Sequence, residues 1–294
     1  MAIDLRTMSK EKQKYDICLE SVKADGKQLA YVSEVYQTEE LCLEAVKQNG
    51  MFLEYVKEQT PAICLAAVRQ NCYALQLVKK QTHDICLEAV KRHAMSLYYV
   101  KDQTPDICLE AVRQDGRTLL YVHERTPELC AEAVRNQGWA IQYVIDPSPE
   151  LCLTAVKQDG MALHFIKKQT PELCLEAVKQ NGRALQDVKE QTPDICLAAV
   201  RQNGEAIAFV KERTPDLCLE AVKCDGMALR KFPKREQTLP IAIAALKQNP
   251  YARNYLAAKF RTPDVYKAAG YDYKPEDLAP SRSRTKRERT EPEH

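Results

Sequence analysis

The sequence predicts an all-α solenoid, a superhelix of about eleven 22-residue helix-turn-helix repeats. Cysteine recurs at 42, 64, 86, 108, 130, 152, 174, 196 and 218, in steps of 22, and Cys18 precedes the series by 24. Glycine keeps the same clock at 50, 116, 138, 160, 182, 204 and 226, with Gly26 in an offset first unit. The residues between them spell one unit, T-P-[DE]-[IL]-C-L-E-A-V-[KR]-Q-[ND]-G-x-A-L-x-[YF]-V-K-[EK]-Q. Self-similarity at this period overrides the two globular domains that 294 residues would otherwise suggest.

Full copies begin at Lys14, Thr38, Thr60, Thr82, Thr104, Thr126, Ser148, Thr170, Thr192, Thr214 and Thr238. They are numbered here as repeats 1 to 11, with positions counted from each start. A truncated copy, TPDVYKAAG, begins at Thr262. Two-residue insertions fall in SEVYQ (33–37), near Phe232 to Gln237, and before Thr262. The expected organisation is an N-terminal segment or cap (1–13), the eleven-repeat solenoid (14–261), a capping repeat (262–270) and a tail (271–294). The tail is charged and contains proline, a composition that predicts disorder.

Each unit reads as helix A, a turn, and helix B. Threonine at position 1 is a good N-cap, because its hydroxyl accepts from an orphan amide of the first turn. Proline at position 2 fits the first helical residue, where its missing N–H costs nothing. An acid at position 3 and a base at position 10 complement the helix dipole at both ends. Asn-Gly or Asp-Gly is expected to end helix A, with the glycine in the left-handed conformation. Helix B follows at once, as in RALQDVKEQ (183–191). Helices of about 8 to 10 residues do not persist alone in water, so stability must come from stacking.

Helix A buries positions 4, 5, 8 and 9 (Ile195, Cys196, Ala199 and Val200 in one copy), widened by Leu197. Helix B buries positions 15, 16 and 19, such as Ala184, Leu185 and Val188. Repeat 11 departs as a cap would, with Ala242 for cysteine, Pro250 for glycine and Arg253 at a core leucine position.

Composition excludes several classes. Hydrophobic residues make up 45% and charged residues 29%, enough for a core, and the net charge is only +2. Nothing at this level marks a nucleic-acid or membrane protein. The opening MAIDLRTMSKEKQ lacks the apolar core of a secretory signal, and the longest aliphatic run, 241–246, is too short to cross a bilayer. The expected location is the cytoplasm. The tail's SRSRTKRER also reads as a nuclear-import or secretion address, against the default of a solvated tail.

The unit TPELCLEAVKQNGRALQ (170–186) resembles an uncharacterised family of tandem helical repeats, a domain of unknown function found in bacteria and large DNA viruses. The resemblance runs from about Thr38 to Asp225 and rests on the LEAVKQNG and ALxYV blocks. It implies a helical repeat array and carries no active site.

No catalytic, cofactor or metal site is expected. The ladder cysteines stand one per unit, whereas metal sites want clustered thiolates or histidines. Stacked helices lie about 8 to 10 Å apart, and a disulfide needs Cα atoms within roughly 7 Å, so these are read as buried, reduced thiols. Cys72, in a glycine slot, and Cys224, in a glutamine slot, lie off the ladder and are candidate reactive thiols. The five histidines (83, 93, 123, 164 and 294) form no HExxH, and the sequence holds no phosphate loop.

Two surfaces remain. Position 10 gives a basic ribbon, Lys23, Lys47, Arg69, Lys91, Arg113 and onward, in a body otherwise close to neutral. Positions 14 and 17 of helix B vary while the scaffold does not, and they share one face. That row includes Tyr73, Met95, Tyr98, Arg117, Trp139, Met161, His164 and Arg183, residue types enriched at protein interfaces. Position 18, mostly aromatic, reads as packing between repeats. The expected function is a non-enzymatic scaffold that binds a protein partner along helix B. The alternative is single-stranded nucleic-acid binding, with the ribbon on the backbone and Tyr73, Tyr98 and Trp139 stacking bases.

Overall fold

A computed structural model describes residues 4–271. Among these residues all regular structure is helical. Helix A of each repeat is a ten-residue α-helix, from Tyr15–Ala24 in repeat 1 to Leu239–Gln248 in repeat 11. Helix B corrects the expectation. It is a six-residue 3₁₀ helix in every repeat, from Gly26–Tyr31 to Pro250–Tyr255, and the residues after it bend or turn into the next unit. The chain is an all-α solenoid of eleven such units, closed by a short helix, Pro263–Ala268.

The local signals act as written for helix A. Thr38, Thr60, Thr126, Thr170, Thr192 and Thr214 accept from the amide three residues on, and proline opens most of the helices. The turn differs. Asn49, Asn181 and their counterparts are extended, with φ near −150°, and except at His93 and Gln137 their side chains cap helix B by accepting from the amide of position 14. The glycine that follows is not left-handed. Among the described residues only Gly270 has a positive φ for glycine, at 86°. A Cβ on Gly50, Gly116, Gly160, Gly182, Gly204 or Gly226 would meet a main-chain carbonyl of the next repeat's helix A at 2.2–2.7 Å. Close approach, not backbone conformation, requires glycine there.

The contacts divide the chain into two compact units, parting between Gln158 and Asp159. The first holds repeats 1 to 6 and helix A of repeat 7. The second begins at helix B of repeat 7. Within each unit successive A helices pack side by side, and so do successive B helices. The core is the one the template implies: Ile195, Cys196, Ala199, Val200, Ala184, Leu185 and Val188 are all buried. Each two-residue insertion becomes an extra 3₁₀ turn, at Glu34–Tyr36, Lys234–Glu236 and Ala258–Phe260.

Two side-chain ladders bind repeat to repeat. At position 11, Gln48, Gln70, Gln202 and Gln248 each accept from the glycine amide of the preceding repeat at 2.6–2.7 Å. Their amides donate to carbonyls at the end of the preceding helix A, as Gln48 does to Val22 at 2.8 Å. At position 22, Gln81 donates to the Tyr99 carbonyl at 2.8 Å and accepts from the Lys101 amide at 2.9 Å, both in the next repeat. Its oxygen also takes the thiol of Cys86 at 3.6 Å. Gln59 with Cys64 and Gln191 with Cys196 repeat this arrangement. In these repeats the ladder cysteine is thus a small core residue that also completes a half-buried carboxamide's bonding.

Leu5, the first residue of a short 3₁₀ turn, is buried, and Gln13 holds the first repeat as position 22 holds the others. At the far end Val265, Tyr266 and Ala269 are buried, and Arg253 is exposed. The tail expected at 271–294 lies outside the described residues apart from Tyr271.

Candidate functional site

Because helix B is a 3₁₀ helix with about three residues per turn, positions 14 and 17 eclipse one another. They form a straighter row than α-helical spacing gives. In the first unit the row is apolar and open across repeats 3 to 6. Tyr73 is 40% exposed, Tyr98 65%, Leu120 47% and Trp139 49%. Met95 is half-buried, so it lines the row rather than standing out from it. Arg117 is exposed and turned onto Asp115 of its own repeat at 2.8 Å, which holds that carboxyl below the usual range. In the second unit Met161 is half-buried, while His164 and Arg183 are exposed.

The structure brings part of the row together. Tyr98 stands edge-on to Tyr99 at 5.0 Å and to Tyr121 of the next repeat at 5.3 Å. Tyr73 meets Tyr99 edge-on at 6.2 Å and His93 at 5.6 Å. Position 18 is therefore the packing element between row residues of adjacent repeats. The second unit uses polar links instead. His164 Nδ1 lies 2.8 Å from Asp187 Oδ1, and Arg230 pairs with Glu205 one repeat earlier. Tyr73, Tyr98 and Trp139 lie in repeats 3 to 6, and the other exposed tyrosines among the described residues, Tyr31 and Tyr251, lie in repeats 1 and 11.

Part of the basic ribbon is tied down. Arg69, Arg113 and Arg201 pair with position 7 of the next repeat, Glu88, Glu132 and Glu220, at 3.1–3.3 Å. Lys47, Arg135 and Lys223 pair with position 7 of their own repeats. Arg135 and Arg113 together hold the Glu132 carboxyl below its ordinary range. These cations face carboxylates, an arrangement unlike an open track for phosphates.

The ten ladder cysteines are buried, Cys72 is half-buried, Cys224 is exposed, and all twelve are free thiols. Burial pushes the thiols of Cys42, Cys86 and Cys218 up to about 11. Partial burial, with Glu220 nearby, also raises that of Cys224, which opposes the reactive thiolate considered for it. His83 Nε2 lies 2.6 Å from Asp106 Oδ2, an exposed pair joining repeats 4 and 5, and Asp106 raises the His83 pKa. Among the described residues no group of three or more His, Cys, Asp or Glu is placed to hold a metal ion. Among them, too, no helix is long and apolar enough to cross a membrane.

One feature was hidden in template departures. Between repeats 6 and 7 a groove of about 490 Å³ is lined by Pro127, Cys130, Ala131, Ile145, Pro147 and Leu151. Ala131 stands where most repeats have leucine, and Ile-Asp-Pro at 145–147 replaces the usual Lys-Glu-Gln. Asp146 there has a left-handed φ of 48°. Those substitutions were the available signal.

A family model described as a Domain of unknown function (DUF4116) matches residues 15–59, 82–126, 148–192 and 170–213, just over half of the chain. The chain belongs to this family. Each DUF4116 match spans two repeats, and the last two overlap by one, so the repeating element is the single helix A–helix B unit. No curated protein and no solved structure shows significant similarity to the chain.

Proposed function

We propose that this DUF4116 chain is a non-enzymatic binding scaffold of the cytoplasm that recognises a protein partner through the variable face of helix B. The observation that carries the reading is the run of exposed Tyr73, Tyr98, Leu120 and Trp139 on one face of four consecutive repeats. A scaffold whose core positions repeat so closely has no folding need for large apolar groups at its outermost positions, and such patches mark interaction sites. Ten thiols buried one per repeat fit a reducing compartment. The ion pairs along part of the ribbon weigh against nucleic acid as the partner.

The test is copurification from the native host, with mass spectrometry for proteins and an absorbance check for nucleic acid. Tyr98→Ala or Trp139→Ala is expected to weaken the recovered interaction by about 2 kcal/mol or more, as central aromatic anchors do. Lys157→Gln with Lys179→Gln is expected to leave it unchanged. The reverse pattern, with a flattened salt dependence, would transfer the function to nucleic acid.

A further inference from the structure

We propose that the face of repeats 3 to 6 takes a neutral, proline-rich segment in the polyproline II conformation. This inference rests on the helix B reading above and names the chemistry of the partner.

Charge is the first argument. Positions 14 and 17 of these four repeats carry a single charged side chain, Arg117, and Asp115 neutralises it at 2.8 Å. An acidic or phosphorylated segment would meet only a cation already paired. A neutral apolar segment matches the face as it stands.

Relief and period are the second. The rings of Tyr73 and Tyr99, Tyr98 and Tyr99, and Tyr98 and Tyr121 are tilted by 85°, 82° and 74° to one another. Near-perpendicular rings make a ridged surface across repeats 3 to 5, and each of repeats 3 to 6 adds one exposed apolar side chain, Tyr73, Tyr98, Leu120 and Trp139. Packed helices lie about 8–10 Å apart. A polyproline II helix presents every third residue on one side, at about 3.1 Å per residue, or roughly 9.3 Å per turn. A β-strand repeats on one face at about 6.8 Å and would slip out of register within a few repeats. An α-helix presents one face at every turn, about 5.4 Å, and again at two turns, about 10.8 Å, so it matches that spacing less closely than polyproline II does. Polyproline II also has no internal hydrogen bonds. Its carbonyls therefore need donors, and tyrosine hydroxyls supply them without charge. Aromatic-lined grooves are a recurring solution for this ligand because its conformation is set before binding.

Trp139 is the only tryptophan in the chain, so its emission reports on this face without a label. The probe is a capped oligoproline of about twelve residues, which at ~3.1 Å each spans four repeats. Capped Gly-Ser and oligoglutamate peptides of the same length are the comparisons. We expect a saturable change in Trp139 emission with oligoproline, weakened about tenfold when the peptide is halved. Tyr98→Ala should weaken it by about tenfold or more with the helical circular dichroism unchanged. Tyr251→Ala, in the same row but in repeat 11, should not. No saturable response at millimolar oligoproline overturns the proposal. So does equal binding of either comparison peptide, or a Tyr98→Ala chain that binds as the unaltered one does. If oligoproline fails while Tyr98→Ala still abolishes capture of the native partner, the helix B reading stands and the polyproline assignment falls.

Discussion

The main-chain amide of Gly182 donates to the side-chain oxygen of Gln202, one repeat further along, at 2.6 Å. Gln202 returns its own amide to the Gln180 carbonyl at 3.4 Å. One side chain thus serves two backbone groups beside the end of helix A, where carbonyls lack intrahelical partners. Repeats too short to fold alone are coupled by bonds of this kind as much as by apolar contact.

Gln202→Ala should leave the buried Gly182 amide without that acceptor and cost about 1–3 kcal/mol. The converse test lies in repeat 10, where Cys224 occupies the glutamine position facing Gly204. Cys224→Gln should install the clamp and raise stability by about 1 kcal/mol. Urea unfolding midpoints measure both. A midpoint unmoved by either change would mean that the ladder fixes geometry without contributing stability.

Gly182→Ala should be strongly destabilising, because the added Cβ would lie 2.5 Å from the Ala199 carbonyl oxygen. Gly182→Asn separates the two possible reasons for glycine. A left-handed residue tolerates asparagine well, whereas a close approach excludes it as firmly as alanine. Both variants should lose about 2 kcal/mol or more, in the range of overpacked cores. Retention of stability by the asparagine variant alone would restore the left-handed explanation.

Ser96 sits at position 15, which is alanine in most repeats, and its hydroxyl is buried without a hydrogen-bond partner. Thr118, at the same position one repeat on, donates to the Asp115 carbonyl at 2.7 Å. Ser96→Ala should therefore stabilise the chain by about 1 kcal/mol, and Thr118→Ala should not. Thermal and urea midpoints of the two variants decide it, and a destabilised Ser96→Ala chain would count against the assignment.

The period, the start of helix A and the buried positions were legible because each is written locally, in Thr-Pro and in apolar spacing. Helix B was not. Its six residues carry no mark of 3₁₀ winding, and the bonds that meet its end come from another repeat, as when Gln81 takes the Tyr99 carbonyl and the Lys101 amide. The same distance hid the role of glycine, whose constraint is a carbonyl in the following unit. Nothing local marked the roles of the glutamines at positions 11 and 22, since their partners are backbone atoms of a neighbour. Variability did point to positions 14 and 17 as outward-facing. It gave no sign that His164 and Asp187 would meet.

The cysteine ladder predicts alkaline sensitivity. Burial raises the thiols of Cys42, Cys86 and Cys218 from an ordinary 9 to about 11. Such a group favours the fold below its unfolded pKa, because its neutral form is the one the core accepts. Above that pH the unfolded chain releases the proton first, so stability falls as pH rises from about 9 to about 11 and levels off once both states are ionised. Each thiol adds at most about 1.4 kcal/mol per pH unit to the slope. The other ladder thiols are shifted in the same direction, as at Cys64 and Cys196. Alanine at positions 42, 86 and 218, the residue that repeat 11 already buries at Ala242, removes three of these groups. The triple variant should be less stable at neutral pH, because it loses packing at three sites and the bond from Cys86 to Gln81, yet lose stability more gradually above pH 9. Unfolding midpoints measured from pH 7 to 11 compare the two slopes, while lysine and tyrosine titration is common to both chains. Parallel curves would mean that the ladder thiols ionise as easily folded as unfolded, and their burial would then have to be shallower than the structure shows.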